Sequence, residues 1–203
     1  MKTQFFIFLA TLLLVGCSKE EPSPPQDPLA KLPPETQTGA NTFGCIINEQ
    51  VFYPRDGESS LFNPGSKGMI FWGDHTIGQN LYNEIEIKNA QDGKPCLRMI
   101  IHLHGLFQNK VGDYVWKSSN FQNSIDGLMQ NYVFAKNFDA LANAWKFYGS
   151  YENSGKVTIT RYGNVISGNF SGKLRLLNGN EEIEIKNGRF DINSSTLPAT
   201  KFL

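Results

Sequence analysis

Hydrophobic and polar residues alternate along much of the chain after residue 41. In the segments 42–47, 97–103 and 166–176, apolar side chains recur at every second position. Successive side chains of a β-strand point to opposite faces, so this alternation is typical of antiparallel strands with one buried face. The same reasoning predicts further strands at 50–53, 68–72, 81–88, 132–135, 156–162 and 181–192.

Short turn sequences separate these strands. Residues 162–165 (Tyr-Gly-Asn-Val) predict a hairpin, and residues 186–189 (Lys-Asn-Gly-Arg) predict a turn or a bulge. About eight to ten short strands indicate an all-β fold, either an antiparallel β-sandwich or a barrel-like structure. The exception is the Ala-containing segment 138–147, where we predict one short helix.

The first 16 residues have the pattern of a secretory signal peptide. Lys2 precedes an apolar run, residues 5–15, that only Thr11 interrupts. A transmembrane helix needs about 20 apolar residues to cross about 30 Å of hydrocarbon. The run has 11 residues and is too short to span a bilayer.

Residues 14–17, Leu-Val-Gly-Cys, resemble a bacterial lipobox, in which the Cys is lipidated and becomes the first residue after cleavage. The resemblance implies that Cys17 carries diacylglycerol and an N-acyl group. Two anchoring signals are what stable membrane binding requires. The alternative is a secreted protein with a Cys near its cleavage site.

Residues 18–41 contain six of the chain's ten prolines and show no apolar periodicity. This composition predicts an extended linker that could hold a domain up to roughly 70 Å from the bilayer. The predicted organisation is therefore a signal peptide (1–16), a lipidated Cys with a Pro-rich linker (17–41) and a single β-domain (42–203).

The start of the linker, Ser-Lys-Glu-Glu at 18–21, resembles the surface-export signal of Bacteroidota lipoproteins. It implies a lipid-anchored protein of the outer membrane, exposed on the cell surface. The alternative location is the periplasmic face.

The charges are balanced, with 19 Lys and Arg against 19 Asp and Glu. Proteins that bind nucleic acids usually carry an excess of positive charge, and this chain has none. We therefore expect no DNA or RNA partner. The sequence has no nucleophile elbow, zincin motif or phosphate-binding loop. We expect no cofactor and no catalytic residue.

Both ends of the β-domain resemble uncharacterised β-rich lipoprotein domains of Bacteroidota cell envelopes. Four C-terminal segments carry the resemblance: 154–160, 166–172, 183–185 and 187–192. At the N-terminal end it is carried by 39–45, Gly-Ala-Asn-Thr-Phe-Gly-Cys. Between about 55 and 150 the chain departs from the family pattern. The family is one of unknown function, so the resemblance implies a location and a β-rich fold but no activity.

Two cysteines remain once Cys17 is acylated. Cys45 and Cys96 would lie in an oxidising compartment, where a disulfide would close a loop of about 52 residues. Alternatively, Cys45 shares a strand face with apolar neighbours and is a buried free thiol.

The strongest candidates for metal ligands are His102 and His104. On a strand these two imidazoles share a face, and a metal could bind them if His75 or Asp74 came close. The alternative is two polar side chains on the wet face of a sheet.

Aromatic residues are concentrated between Phe107 and Tyr151. Most are expected in the core. An exposed cluster containing Trp72, Trp116 or Trp145 would instead provide a stacking platform for sugar rings or a protein partner.

The sequence thus favours a membrane-tethered envelope lipoprotein whose β-domain is not catalytic and serves binding or envelope assembly. One alternative is a metal-assisted hydrolase built on His102, His104 and His75. The other is a glycan-binding module.

Overall fold

The computed structural model describes residues 27–58, 65–74, 82–90, 97–121 and 129–203. The fold is all-β, one open antiparallel sheet of eleven strands curled into a half-barrel, and it confirms the predicted fold class. The strands are β1 (Thr42–Ile47), β2 (Gln50–Phe52), β3 (Met69–Asp74), β4 (Tyr82–Lys88), β5 (Arg98–His104), β6 (Gly112–Val115), β7 (Tyr132–Asp139), β8 (Ala144–Gly149), β9 (Gly155–Arg161), β10 (Val165–Leu176) and β11 (Glu182–Asn193). One short helix, α1 (Leu106–Asn109), follows β5.

The sheet runs in the order β2-β1-β11-β10-β8-β7-β5-β4-β3, and β9 and β6 branch from it. Strand β10 makes the branch point, since it pairs with β9 along Ser167–Gly172 and with β8 at Arg175 and Leu176. The predicted hairpin at 162–165 joins β9 to β10. The segment 186–189 is a bulge within β11: Asn187 has a φ of 52°, and the register with both neighbouring strands shifts there. Such bulges bend the sheet.

The inner face of the half-barrel holds the main hydrophobic core. Alternate residues of nearly every strand meet there, for example Phe43, Ile85, Met99, Ile101, Val133 and Ile185. Trp116 is fully buried in this core. It packs directly on glycines, since a Cβ added at Gly155 would overlap the Trp116 ring.

The outer face is also partly buried, which the alternation did not predict. Ile100, Tyr132 and Phe134 form a second cluster there, with Phe121 and Phe147 packed against it. Strands β5 and β7 are therefore covered on both faces. Among the described residues, no helix is long and apolar enough to cross a bilayer.

The helix expected at 138–147 is wrong. The segment forms the β7–β8 hairpin, with Phe138 paired to Trp145 across the strands and their rings 5.4 Å apart. Asp139 closes the turn, because its Oδ1 accepts hydrogen bonds from the backbone N–H groups of Leu141 and Ala142. This local bonding of a short polar side chain competes with helix formation.

The C-terminal part of the predicted linker packs on the sheet instead of forming a spacer. Leu32 is buried, and a Cβ at Gly44 would lie 2.6 Å from Pro33. Arg161 and Arg189 donate hydrogen bonds to the backbone carbonyls of Gln37 and Pro33. The folded unit therefore includes residues before 42. We call residues 32–41 the strap.

Asp191 of β11 fastens the strap. Its carboxylate accepts hydrogen bonds from Thr36 Oγ1 at 2.6 Å and from the backbone N–H groups of Thr38, Gly39 and Ala40 at 2.9–3.1 Å. Ser167 Oγ donates at 2.7 Å from β10. Burial opposes ionisation, but the hydrogen bonds from Thr36 and its neighbours outweigh it and hold the pKa of Asp191 well below its usual value. The contacts between Asp191 and the strap join positions 151–155 residues apart, beyond the reach of local sequence patterns.

Candidate functional site

A cleft opens at one end of the half-barrel, and we call it the mouth cleft. Its volume is about 620 Å³, within the range of small-molecule sites, which often lie in the mouths of β-barrels. Strand ends form its walls: the β1–β2 turn, the end of β4, the β7–β8 hairpin and the start of β11. Its polar lining residues are Asn48, Gln50, Asn89, Asn137, Asp139, Lys146 and Glu181.

An ion network crosses one wall of the cleft. Lys146 Nζ lies 2.9 Å from Glu181 Oε2 and 3.2 Å from Asp139 Oδ2. Tyr148 donates a hydrogen bond from its hydroxyl to Glu181 Oε1 at 2.7 Å. Lys146 and Tyr148 are two residues apart on β8, so the strand itself directs both side chains to the same face. The network thus joins the β7–β8 hairpin to the loop before β11.

These contacts shift the pKa values of the network in consistent directions. The hydrogen bonds from Tyr148 and Lys146 lower the pKa of Glu181, and those from Ala142 and Lys146 lower the pKa of Asp139. The two carboxylates raise the pKa of Lys146. Burial, reinforced by Glu181, raises the pKa of Tyr148 to about 12. Both carboxylates and the ammonium therefore keep their charges at neutral pH.

The floor of the cleft is apolar and its rim carries amides. Phe52, Tyr148 and Ile183 are buried beneath it, while Gln50 and Asn137 are exposed at the rim. Asn89 Oδ1 is a buried acceptor without a hydrogen-bond partner among the described residues. The arrangement can hold a polar ligand by several hydrogen bonds above an apolar surface.

A second cluster of ionisable groups lies buried on the outer face of β4, β5 and β7. Glu84 is paired with His102 across β4 and β5, and Glu84 Oε1 lies 2.7 Å from His102 Nδ1. The imidazole is stacked between two phenol rings, 4.7 Å from that of Tyr82 and 4.4 Å from that of Tyr132. Only 1% of His102 is exposed. The expectation that His102 lies on a wet sheet face is therefore wrong.

Three polar atoms of this cluster lack a hydrogen-bond partner among the described residues: Glu84 Oε2, His102 Nε2 and Tyr132 Oη. Burial, and secondarily the charge of Glu84, raises the pKa of Tyr132. Glu84 thus orients one ring nitrogen of His102 and leaves the other available, as carboxylates do for metal-binding histidines.

The rest of the proposed metal site is not assembled within the described residues. His104 is half-buried on the same strand, and burial together with repulsion from His102 lowers its pKa. His75 and the side chain of Asp74 lie outside the described residues. The described segments contain no group of three or more His, Cys, Asp or Glu residues that could hold a metal ion.

The three tryptophans do not form one exposed platform. Trp116 is in the core, Trp72 is half-buried against Tyr82, and Trp145 is 40% exposed. Lys136 Nζ lies 5.0 Å from the centre of the Trp145 ring. None of the three lines the mouth cleft.

Cys45 is a free thiol in the structure and is completely buried in the core. Burial raises its pKa, so it is a poor nucleophile. This matches the alternative of a buried apolar filler. Cys96 lies outside the described residues.

A second cavity, of about 640 Å³, is lined by residues on both sides of the segment 59–64, which is not described. We therefore place no site there. The mouth cleft also borders an undescribed segment, 91–96, through Asn89 and Leu97, but the residues of its charged wall, Asp139, Lys146 and Glu181, all lie in described segments, and we take it as the candidate site.

Sequence reasoning missed every charged residue of the mouth cleft. The sequence predicts a helix over Asp139 and Lys146, and Glu181 lies in the loop before β11, 35 residues from its partner Lys146. The only available signal was the period-two spacing of Lys146 and Tyr148. Comparisons of this chain with protein-family models, with curated proteins and with solved structures gave no match.

Proposed function

We propose that the protein is a lipid-anchored lipoprotein of the cell envelope whose β-domain binds a polar ligand in the mouth cleft and is not catalytic. The mouth cleft carries the proposal: it is of ligand size, and fixed charges, amides and an apolar floor meet there. The anchor rests on the lipobox-like sequence that ends at Cys17.

The charge states of the cleft favour binding over catalysis. A carboxyl that acts as a general acid near neutral pH needs a raised pKa, and a nucleophilic lysine needs a lowered one. The pKa values of Asp139 and Glu181 are lowered and that of Lys146 is raised. Each shift is opposite to the one that such chemistry requires.

The docked N-terminal segment also shortens the tether. Because the 3-10 turn Pro28–Lys31 contacts β2 and the strap packs on the sheet, only residues 18–27 remain between the lipidated Cys and the domain. Such a segment spans at most about 36 Å when fully extended. The domain is therefore held close to the bilayer, at about half the distance that the composition predicted.

Membrane attachment can be tested by fractionating cells that express the full chain. We expect the native protein in the outer-membrane fraction and the Cys17→Ser variant in a soluble fraction. Ser18→Ala is the matched control and should stay with the membrane. Protease treatment of intact cells then distinguishes surface display from the periplasmic face. A Cys17→Ser variant that remains membrane-bound would contradict the anchor.

Ligand binding can be tested separately by NMR. The side-chain amides of Gln50 and Asn137 report on the cleft rim in ¹⁵N-labelled full chain held in detergent micelles. Soluble envelope extract should shift these signals. Shifts confined to other parts of the domain would contradict the mouth cleft as the binding site.

A metal-assisted hydrolase is the second candidate. The observation that favours it is the bond from Glu84 to Nδ1 of His102, which leaves Nε2 without a partner among the described residues. Metal analysis of the purified chain decides between the two candidates.

A further inference from the structure

We propose that the ligand of the mouth cleft is an uncharged, hydroxyl-rich molecule, an oligosaccharide. This inference rests on the proposed binding function and specifies the chemistry of the ligand. Three properties of the cleft carry it: its charge, its remaining hydrogen-bonding capacity and its floor.

The charge of the cleft disfavours ionic ligands. Lys146 is already shared by Asp139 and Glu181, so the three groups together carry one net negative charge. An anion would be repelled by that charge and would have to take Lys146 from two carboxylates. A cation would have to compete with an ammonium that is already bonded to both. A neutral ligand pays neither cost.

The remaining hydrogen-bonding capacity suits hydroxyl groups. An ionised carboxylate has about four acceptor sites. Glu181 uses one on each oxygen, for Lys146 and Tyr148, so its exposed carboxylate retains further acceptor sites. Two adjacent hydroxyls can donate to such a carboxylate together. The amides of Gln50 and Asn137 supply donors and acceptors at the same rim, and a hydroxyl can serve either.

The apolar floor of the cleft suits the apolar faces of sugar rings. Sugar rings have hydroxyl edges and apolar C–H faces. Phe52 and Ile183 are buried beneath the cleft, and Ile47 and Leu97 line it as half-buried apolar side chains packed on the inner core. A sugar ring can therefore cover apolar surface while its hydroxyls reach the charged wall.

This site differs from the tryptophan platform expected from the sequence. Trp145 lies on the opposite face of the β7–β8 hairpin from Lys146 and does not line the cleft. The inference therefore depends on Glu181, Gln50 and Asn137 rather than on tryptophan.

The test is a titration of the full chain in micelles with a panel of neutral hexasaccharides derived from starch, cellulose, xylan and mannan. Binding is measured by calorimetry, and the Gln50 and Asn137 side-chain amides are followed by NMR. We expect at least one hexasaccharide to bind and to shift these amides. Glu181→Gln should weaken that binding about tenfold or more, the loss expected when a charged hydrogen-bond acceptor is neutralised.

Two matched controls separate the cleft from the rest of the surface. Glu152→Gln makes the same chemical change at an exposed ion pair with Lys117, outside the cleft. A second test variant, Gln50→Ala, removes an amide from the cleft rim. Its control is Gln108→Ala, which removes an exposed amide on α1, outside the cleft. Both controls should leave hexasaccharide binding unchanged, while Gln50→Ala should weaken it severalfold.

The outcomes distinguish the ligand class from the proposed function. If no hexasaccharide binds but envelope extract still shifts the cleft amides, the saccharide inference is overturned and the binding function stands. If neither shifts them, both fail. Binding that Glu152→Gln weakens as much as Glu181→Gln would place the sugar outside the cleft and would also overturn the inference.

Discussion

Asp191→Asn should release the strap from the sheet while the sheet itself stays folded. In the native protein the carboxylate accepts from three hydroxyls, those of Thr36, Thr38 and Ser167, and from the three backbone N–H groups of residues 38–40. An amide keeps one acceptor oxygen and loses the charge. Its NH₂ group opposes a backbone N–H in either orientation, because Oδ1 accepts from Gly39 as well as from Ser167, and Oδ2 accepts from Thr38 and Ala40.

The magnitude follows from the bonds that are lost or weakened. Hydrogen bonds to a charged group contribute about 1.5–3 kcal/mol each, and neutral ones about 1 kcal/mol. Because the bonds share one carboxylate they are not additive, and we expect a net loss of about 2–3 kcal/mol for docking of the strap. That loss makes the equilibrium constant for local opening of the strap about 30 to 150 times larger.

Hydrogen exchange measured by mass spectrometry reads this opening directly. The amides of Thr38, Gly39 and Ala40 should lose protection in Asp191→Asn, while the β10–β11 ladder should keep it. Asp113→Asn, at an exposed carboxylate bonded to Lys156, is the matched control and should leave the strap amides unchanged. Unaltered protection of residues 38–40 in Asp191→Asn would refute the role given to this carboxylate.

The contacts of Asp191 also predict how the docking of the strap depends on pH. Because folding lowers the pKa of Asp191, its contribution to stability is fully present above the unfolded value of about 3.9. It is lost progressively as the pH falls from there towards the lower value of the folded state. The strap amides should therefore lose protection on acidification, and the Asp191→Asn variant should lack this dependence. A native strap whose protection does not change on acidification would contradict the assignment.

Three further outcomes are expected. Gly155→Ala should lower the free energy of unfolding in urea by about 1–3 kcal/mol, because the added Cβ would press on Trp116 and on the backbone of β10; an unchanged midpoint would contradict the packing. Cys45 should resist thiol-labelling reagents in the native protein and react on unfolding, since burial raises its pKa; rapid labelling of the native chain would show that it is accessible. Metal analysis of chain purified without chelators should find no stoichiometric ion, whereas an ion lost on His102→Ala would favour the hydrolase.

Local patterning predicted much of the sheet because strand periodicity is a property of neighbouring residues. Strand β1 begins and ends where the alternation does, and the hairpin between β9 and β10 follows from its Gly-Asn turn. Strands β6 and β8 were missed. Strand β8 is not visible in the sequence because three of the four residues 145–148 are aromatic, so aromatic side chains fall on both faces and no apolar–polar alternation results.

The remaining features depend on contacts between distant residues, which no local pattern encodes. The sequence of the strap predicts a linker, and only the structure shows that Asp191 binds it. His102 looks like an exposed polar residue until the outer face of β5 is found to be covered. The mouth cleft forms only when the β7–β8 hairpin meets the loop before β11 that carries Glu181. In each case a polar side chain obtains its partner across the fold.

The proposed lipid anchor at Cys17 can be tested by mass spectrometry of the N-terminal peptide from protein extracted from native membranes. We expect the mature chain to begin at Cys17, with diacylglycerol on the sulfur and an acyl group on the nitrogen. A chain that retains residues 1–16, or an unmodified Cys17 in a protein found free of membranes, would contradict the envelope lipoprotein proposed from this sequence.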